Sequence, residues 1–397
     1  MFKNLEMAPP DPILGLTDAF NEDPNPLKIN LGVGVYKDAS GKTPVMNTVK
    51  KAEKRILRRE NTKNYLPIGG SAEFGGAVQT LLFPAPDEIV RQKRALTAQT
   101  PGGTAALRVA ADFLKTAGKK NRVWVSEPTW PNHSQVFRAA GLEVSPYPYY
   151  DAASKSLDFD PMIQALGRIP EGDILLLHGC CHNPTGVDPD PDQWKEISSV
   201  AASRRLILLV DLAYQGLGQG LEEDAAGIRV LCGSASDILI ASSFSKNFGL
   251  YRERVGALTL VSDSAETAAR AFSHVKATIR ANYSNPPSHG GAVVATILND
   301  PELRAEWEGE VRQIRERIRD MRLLFAKTLK AKGVRQDFSF ISRQNGMFSF
   351  SGLNKQQVET LRKKHALYVV GSGRINVAGM TAENMDALCA AVADVLQ

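Results

Sequence analysis

Four short apolar runs, each ending in a polar cluster, restrict this chain to few folds. Arg122–Ser126 leads into Glu127-Pro128-Thr129-Trp130-Pro131-Asn132-His133. Ile174–His178 leads into Gly179-Cys180-Cys181-His182-Asn183-Pro184-Thr185-Gly186. Leu206–Val210 leads into Asp211-Leu212-Ala213-Tyr214, and Ile238–Ala241 into Ser242-Ser243-Phe244-Ser245-Lys246. A further strand is expected over Gly256–Val261. Continuous apolar runs alternating with helical segments are the mark of strands buried on both faces of a mostly parallel sheet. In open α/β sheets ligands bind beyond the carboxyl ends of the strands. The polar clusters all fall there, so one shared site is expected.

The remaining segments place a second, smaller domain around this sheet. Residues 1–30 are rich in proline and acidic residues and are expected to form an extended arm. Leu31-Gly32-Val33-Gly34-Val35-Tyr36 follows, an extended segment whose glycines admit close backbone approach. Residues 46–60 suit a basic helix, Asn64–Gly70 a loop, and Arg94–Gln99 a strand. That strand runs into Thr100-Pro101-Gly102-Gly103-Thr104 and an alanine-rich helix, a turn that offers free backbone N–H groups to an anion. Thr278–Pro287, carrying Arg280, is expected to be a loop. Asp300-Pro301 opens a helix in which Leu303, Trp307, Val311, Ile314, Ile318, Met321 and Phe325 form one apolar stripe, closed by Gly333. Its expected length is about 48 Å, enough to pass from one domain to another. Beyond it, short strands (Phe338–Ile341, Met347–Phe350, Leu367–Val370, Arg374–Val377) alternate with helices at 354–364 and 381–396. The expected division is an arm with part of the small domain over 1–44, a large domain over 45–312 and the rest of the small domain over 313–397, joined by a helix at about 301–332.

Composition excludes several function classes. The net charge of +5 on 397 residues comes without a basic block, which argues against nucleic acid. No apolar run is long enough to span a membrane, and with Glu6, Asp11 and prolines interrupting the first dozen residues no apolar leader is expected. Four cysteines make no disulfide framework and suit a reducing, cytoplasmic setting. His178, Cys180, Cys181 and His182 raise the question of a metal. Adjacent cysteines do not readily share one tetrahedral ion, and no second C-x-x-C pair exists, so no metal is expected. Ser40-Gly41-Lys42-Thr43 lacks the first glycine of a P-loop, and Gly216–Leu221 lacks the third glycine of a dinucleotide fingerprint.

Lys246 is the candidate for chemistry. It sits among Ser242, Ser243 and Ser245, with Arg252 and Arg254 within eight residues. A loop lysine is ordinarily just exposed. One at the end of a buried strand can lose its proton and act as an amine nucleophile, and the serines and an arginine beside it can hold a phosphate. Together these suggest a lysine Schiff base with pyridoxal phosphate.

Several motifs in order then carry a resemblance: Asn30–Tyr36, Gly102-Gly103-Thr104, Cys180–Gly186, Asp211-Leu212-Ala213-Tyr214, Ser243-Phe244-Ser245-Lys246 through Arg254, and Ser372-Gly373-Arg374. From about residue 9 to its end the chain resembles class I aminotransferases of the fold-type I, pyridoxal-phosphate-dependent superfamily, and within them the aspartate aminotransferases. The resemblance implies an α/β, three-layer PLP-transferase fold with a central mostly parallel sheet and a smaller α+β domain. It makes Lys246 the Schiff-base lysine and proton shuttle. Asp211 pairs with the pyridinium nitrogen, while Tyr214 and Asn183 hold the ring oxygen. Trp130 stacks on the ring, and Gly103, Thr104, Ser243, Ser245 and Arg254 cradle the phosphate. Arg374, the Gly34 backbone and Asn183 bind the α-carboxylate. Tyr65 and Arg280 reach into a neighbouring subunit, Tyr65 to the phosphate and Arg280 to a side-chain carboxylate, so a homodimer with shared active sites is implied. The implied activity is ping-pong transfer from L-aspartate to 2-oxoglutarate. Relatives that also accept aromatic amino acids keep the same arginine, so a broad aromatic aminotransferase is the alternative.

Overall fold

Seven strands form the central sheet of the computed structural model, which describes residues 2–7, 14–84, 87–235 and 237–396. They are β1 (Ala95–Pro101), β2 (Arg122–Glu127), β3 (Glu143–Pro148), β4 (Ile174–His178), β5 (Ile207–Leu212), β6 (Ile238–Ser243) and β7 (Val255–Val261). Their order across the sheet is β1-β7-β6-β5-β4-β2-β3. All pairings from β6 to β3 are parallel, and β7 alone runs antiparallel to both its neighbours. Every residue of β4, β6 and β7 is buried. Both faces are therefore covered, which is why these runs are apolar throughout instead of alternating.

Register brings the strand ends level. His178 pairs with Asp211, and Asp211 with Ala241. Ser243, last in β6, pairs with Gly256 near the start of the antiparallel β7. The reversal returns Arg254 to the end of the sheet at which β6 stops. Helix α1 (Gly103–Thr116) follows β1 and packs on β6 and β7. Its buried Ala106, Leu107, Ala110 and Leu114 join Leu176, Leu209, Leu239 and Leu258 in the core.

The chain divides into two units. The larger comprises Pro44–Asn183 and Val187–Glu316, and the smaller Met1–Thr43, Pro184–Gly186 and Arg317–Gln397. In the smaller, Ile29–Asn30 pairs in parallel with Leu367–Tyr368, and Phe348–Phe350 pairs antiparallel with Arg374–Asn376. A single helix, Pro301–Ala331, contributes residues to both. Leu303, Trp307 and Val311 of its stripe are buried in the larger unit, and Ile318, Phe325 and Leu329 in the smaller. Asp300 caps the helix, accepting from the Leu303 N–H at 2.9 Å.

Three local expectations change. The arm contains a helix, Leu14–Glu22, and residues 8–13 of it lie outside the described residues. Phe338–Ile341 is not a strand: Asp337 accepts from the Ser339 N–H at 2.8 Å and from its hydroxyl at 2.7 Å, which starts a 3-10 turn over Ser339–Arg343. Arg280 lies in the last turn of a helix, Ala265–Asn282, that is capped by Ser264 and carried onward by buried Val275 and Ile279. No helix among the described residues is long and apolar enough to cross a membrane.

Candidate active site

In the larger unit the strand ends assemble one cluster. Asp211, at the end of β5, is buried, and its Oδ2 lies 3.1 Å from His133 Nε2. His133 Nδ1 lies 2.8 Å from the Thr129 hydroxyl. A hydroxyl donating to Nδ1 leaves the ring proton on Nε2, directed at the carboxylate. Burial alone would raise the Asp211 pKa. The hydrogen bond with His133 and the positive charge of Lys246 outweigh it, and the net shift is downward. His178 lies beside His133, ring centroids 5.2 Å apart, and burial chiefly pushes its pKa down to about 3. His182, stacked on Tyr149 at 3.9 Å, is held well below the usual histidine range for the same reason. Asp211 is therefore a buried anion beside the neutral His178.

His178 also sets a pH dependence. The unfolded chain takes up a proton at the ordinary value of 6.5, which the native ring refuses until about 3. Stability is thus full above 6.5 and drains as pH falls toward 3, at about 1.4 kcal/mol per pH unit for this group. Thermal melts between pH 7 and 4 are expected to show this slope, and His178→Asn should flatten it. An unchanged slope in that variant would assign the acid sensitivity elsewhere.

Lys246 follows β6 and is half-buried, its Nζ 5.1 Å from the Tyr214 ring centroid. The Asn183 amide donates to the Tyr214 hydroxyl at 3.4 Å, and both residues are buried. Trp130, at the end of β2, meets His133 edge-on at 5.2 Å.

An anion cradle adjoins these groups. Arg254 Nη1 and the Ser243 hydroxyl each donate to Ser245 Oγ at 3.2 Å. The N-terminus of α1, with Gly103 and Thr104 in its first turn, lies against them. A Cβ on Gly102 (φ +83°) would stand 2.5 Å from Arg254 Nη2, and one on Gly103 would stand 3.0 Å from Ser243 Cβ. Glycine is what lets the guanidinium and the serine reach the helix end. Helix-end N–H groups, two hydroxyls and a guanidinium are donors of the kind a phosphate requires. Cradle, buried anion and lysine together fit a group bearing a phosphate, a protonated ring nitrogen and an amine-reactive carbonyl, which is pyridoxal phosphate.

Among the described residues two clusters contain groups that can ligate metals. His133, His178 and Asp211 converge, as do Cys180, Cys181 and Asp224. Both His133 nitrogens are engaged by Thr129 and Asp211. Asp224 accepts the backbone N–H groups of Gly216, Gly218 and Gln219 at 2.8–2.9 Å, which ties a loop. Neither cluster presents a ready ligand set.

In the smaller unit Arg374 is buried, donating through Nη2 to Gly32 O at 2.6 Å, with its guanidinium 4.2 Å from the Phe348 ring centroid. A Cβ on Gly34 would stand 2.6 Å from Phe348 Cζ. Asn376 Nδ2 donates to Val33 O at 2.6 Å and Val35 O at 2.9 Å, which holds the backbone on both sides of Gly34.

Tyr65 and Arg280 are different. Tyr65 is 92% exposed, and Arg280 is exposed, donating to the Ser284 hydroxyl. Sequence reasoning missed His133 as the partner of Asp211, and Asn376. The signal for the first was Thr129 and His133 at helical spacing beyond a strand end.

Comparison with known proteins agrees with this chemistry. The family model for aminotransferase class I and II matches residues 26–392. The chain is 57% identical over 396 residues to an aspartate aminotransferase of Escherichia coli (strain K12), with 100% of each chain covered. It is 46% identical to an aromatic-amino-acid aminotransferase of Pseudomonas aeruginosa, covering 99% of this chain and 98% of that one. A solved aromatic-amino-acid aminotransferase from Burkholderia pseudomallei, covalently bound to pyridoxal phosphate, overlays with a TM-score of 0.97 at 48% identity, with 100% of both chains covered. On the length of the family match and these full-length identities, the chain belongs to the class I and II aminotransferases.

Proposed function

We propose that the chain is a pyridoxal-phosphate-dependent aspartate aminotransferase. It moves the amino group of L-aspartate to 2-oxoglutarate, giving oxaloacetate and L-glutamate by a ping-pong route. The observation that carries this is Lys246 beside Tyr214 and the buried, ionised Asp211, in a chain 57% identical along its length to an aspartate aminotransferase.

When bound, the cofactor supplies a carbonyl that takes up the amino group and a ring that delocalises the electron pair left at the substrate Cα. Lys246 Nζ would anchor it and, once displaced by the substrate amine, would serve as the base for the proton at the substrate Cα. Asp211 keeps the ring nitrogen protonated, and His133 holds Asp211 in place. Tyr214 and Asn183 hold the ring oxygen, and Trp130 covers the ring face. Gly103, Thr104, Ser243, Ser245 and Arg254 hold the phosphate. In the smaller unit, Arg374 and the Gly34 backbone take the substrate α-carboxylate, a task suited to a planar guanidinium.

Tyr65 and Arg280 act in a second copy, so the working form is a homodimer. Their exposure on one chain supports this reading. Tyr65 meets the second copy's phosphate, and Arg280 the side-chain carboxylate of aspartate or glutamate. Four buried cysteines outside any disulfide support a cytoplasmic setting.

A second reading, broad aromatic specificity, is favoured by the aromatic-amino-acid relatives at 46% and 48% identity. Comparing kcat/KM for aspartate and phenylalanine decides between the two. Arg280→Leu is expected to lower kcat/KM for aspartate by about 30-fold or more, the cost of unpairing a desolvated charge, and to leave phenylalanine within a few-fold. Equal losses for both donors would remove the assigned role of Arg280.

A further inference from the structure

Arg322 has no part in the chemistry above, yet it is only 2% exposed, on the helix Pro301–Ala331. A guanidinium so placed is costly unless its donors are matched. Its Nη1 donates to Ile341 O at 3.1 Å and meets Ser349 Oγ at 3.5 Å. Its Nη2 donates to the carbonyls of Asn345 (3.1 Å), Gly346 (2.8 Å) and Phe348 (2.6 Å). All of these acceptors belong to one stretch, 341–349. It has little regular structure, passing from a 3-10 turn through Gly346 (φ +73°) into the short strand Phe348–Phe350. One planar cation holds its shape where a strand ladder does not.

Three pieces of the smaller unit lean on this stretch. The Phe348 ring lies under the Arg374 guanidinium at 4.2 Å. The same ring occupies the space where a side chain on Gly34 would begin. The Asn345 N–H donates to Gly186 O at 2.7 Å, and a Cβ on Gly186 would stand 2.6 Å from Phe348 O.

We propose that Arg322 is a positioning residue for α-carboxylate recognition. It acts through Phe348 on Arg374 and Gly34, and through Asn345 on the Pro184–Gly186 turn. The proposal rests on the reading of Arg374 as the α-carboxylate ligand. Because every amino-acid substrate carries that carboxylate, the effect of Arg322 is common to all donors, whereas that of Arg280 depends on the side chain. Lysine cannot replace it, since a single ammonium does not span five acceptors in a planar fork.

The test compares the holoenzymes of Arg322→Lys, Phe348→Leu and Arg374→Lys with the parent protein. It measures kcat and KM for aspartate and phenylalanine, the Kd of succinate as an unreactive dicarboxylate, cofactor absorbance and the melting temperature. Arg322→Lys is expected to raise both KM values and the succinate Kd by about 10–100-fold, the scale of a misplaced binding group. Saturated kcat should stay within a few-fold and cofactor absorbance should be retained. Phe348→Leu, which keeps Arg322 and its carbonyls, is expected to act in the same direction and serves if the lysine variant does not fold. A lower melting temperature with unchanged KM and Kd in both variants, while Arg374→Lys raises them, would make Arg322 structural only and overturn the proposal. Unchanged binding in Arg374→Lys would overturn the α-carboxylate reading, and the proposal with it.

Discussion

Replacing Lys246 with alanine is expected to lower kcat for aspartate by on the order of 10⁴-fold or more, the full range of a positioned proton-transfer group. Three properties place this loss on one atom. Lys246 follows the last residues of a fully buried strand, so its backbone is held by the sheet. Its Nζ lies 5.1 Å from the Tyr214 ring centroid, and its charge contributes to the lowered pKa of Asp211. Among the side chains gathered here it is the one amine. The variant is expected to retain the phosphate cradle, because Ser243, Ser245 and Arg254 bond one another without the lysine. The cofactor should therefore still bind but leave on dialysis, and borohydride should no longer fix it to the protein. Full turnover by Lys246→Ala would end the proposed mechanism. Loss of cofactor binding altogether would show that the cradle depends on the lysine.

Asp211→Ala is expected to lower kcat by about 10²–10⁴-fold, from about 3–5 kcal/mol lost when one partner of a buried charge pair is removed. The site has no evident substitute among the neighbouring groups. His178 and His182 are neutral bases at working pH, and neither supplies a negative charge. Asp211→Glu keeps the charge and should recover part of the rate, which separates electrostatics from packing. Steady-state rates with both variants, and cofactor absorbance as a function of pH, check this. A rate for Asp211→Ala within threefold of the parent would show that the ring nitrogen needs no anion here.

The central sheet is legible in the sequence because β4, β5 and β6 are buried on both faces. Their apolar runs are continuous, and the first polar residue after each marks a carboxyl end. Asp211, Lys246 and the serines are found by that rule. The pairing of Asp211 with His133 is not, because it depends on where a short helix after β2 sits beside β5, some eighty positions away in sequence. Phe338–Ile341 looks like a strand by its aromatic and β-branched residues, but the Asp337 carboxylate offers the backbone a local turn that competes successfully. Arg280 looks like a loop residue because Asn and Pro follow it. Burial of Val275 and Ile279, four apart, carries the helix past that point. Arg322 has the faintest signal, a cation four residues after Ile318 on an otherwise apolar face. Its meaning depends on carbonyls that no side-chain pattern encodes.

The four cysteines have a practical consequence. All are buried thiols outside any disulfide; burial chiefly pushes the Cys232 and Cys389 thiols up to about 12, and the Cys181 hydrogen bond, then burial, raises that of Cys180. Thiol reagents attack the exposed thiolate, so alkylation of the native protein must wait for an opening event. Cys389 belongs to the smaller unit and Cys180, Cys181 and Cys232 to the larger. The chain thus carries its own pair of clocks. Mass spectrometry of timed alkylation, site by site, reads how often each unit breathes without any introduced probe.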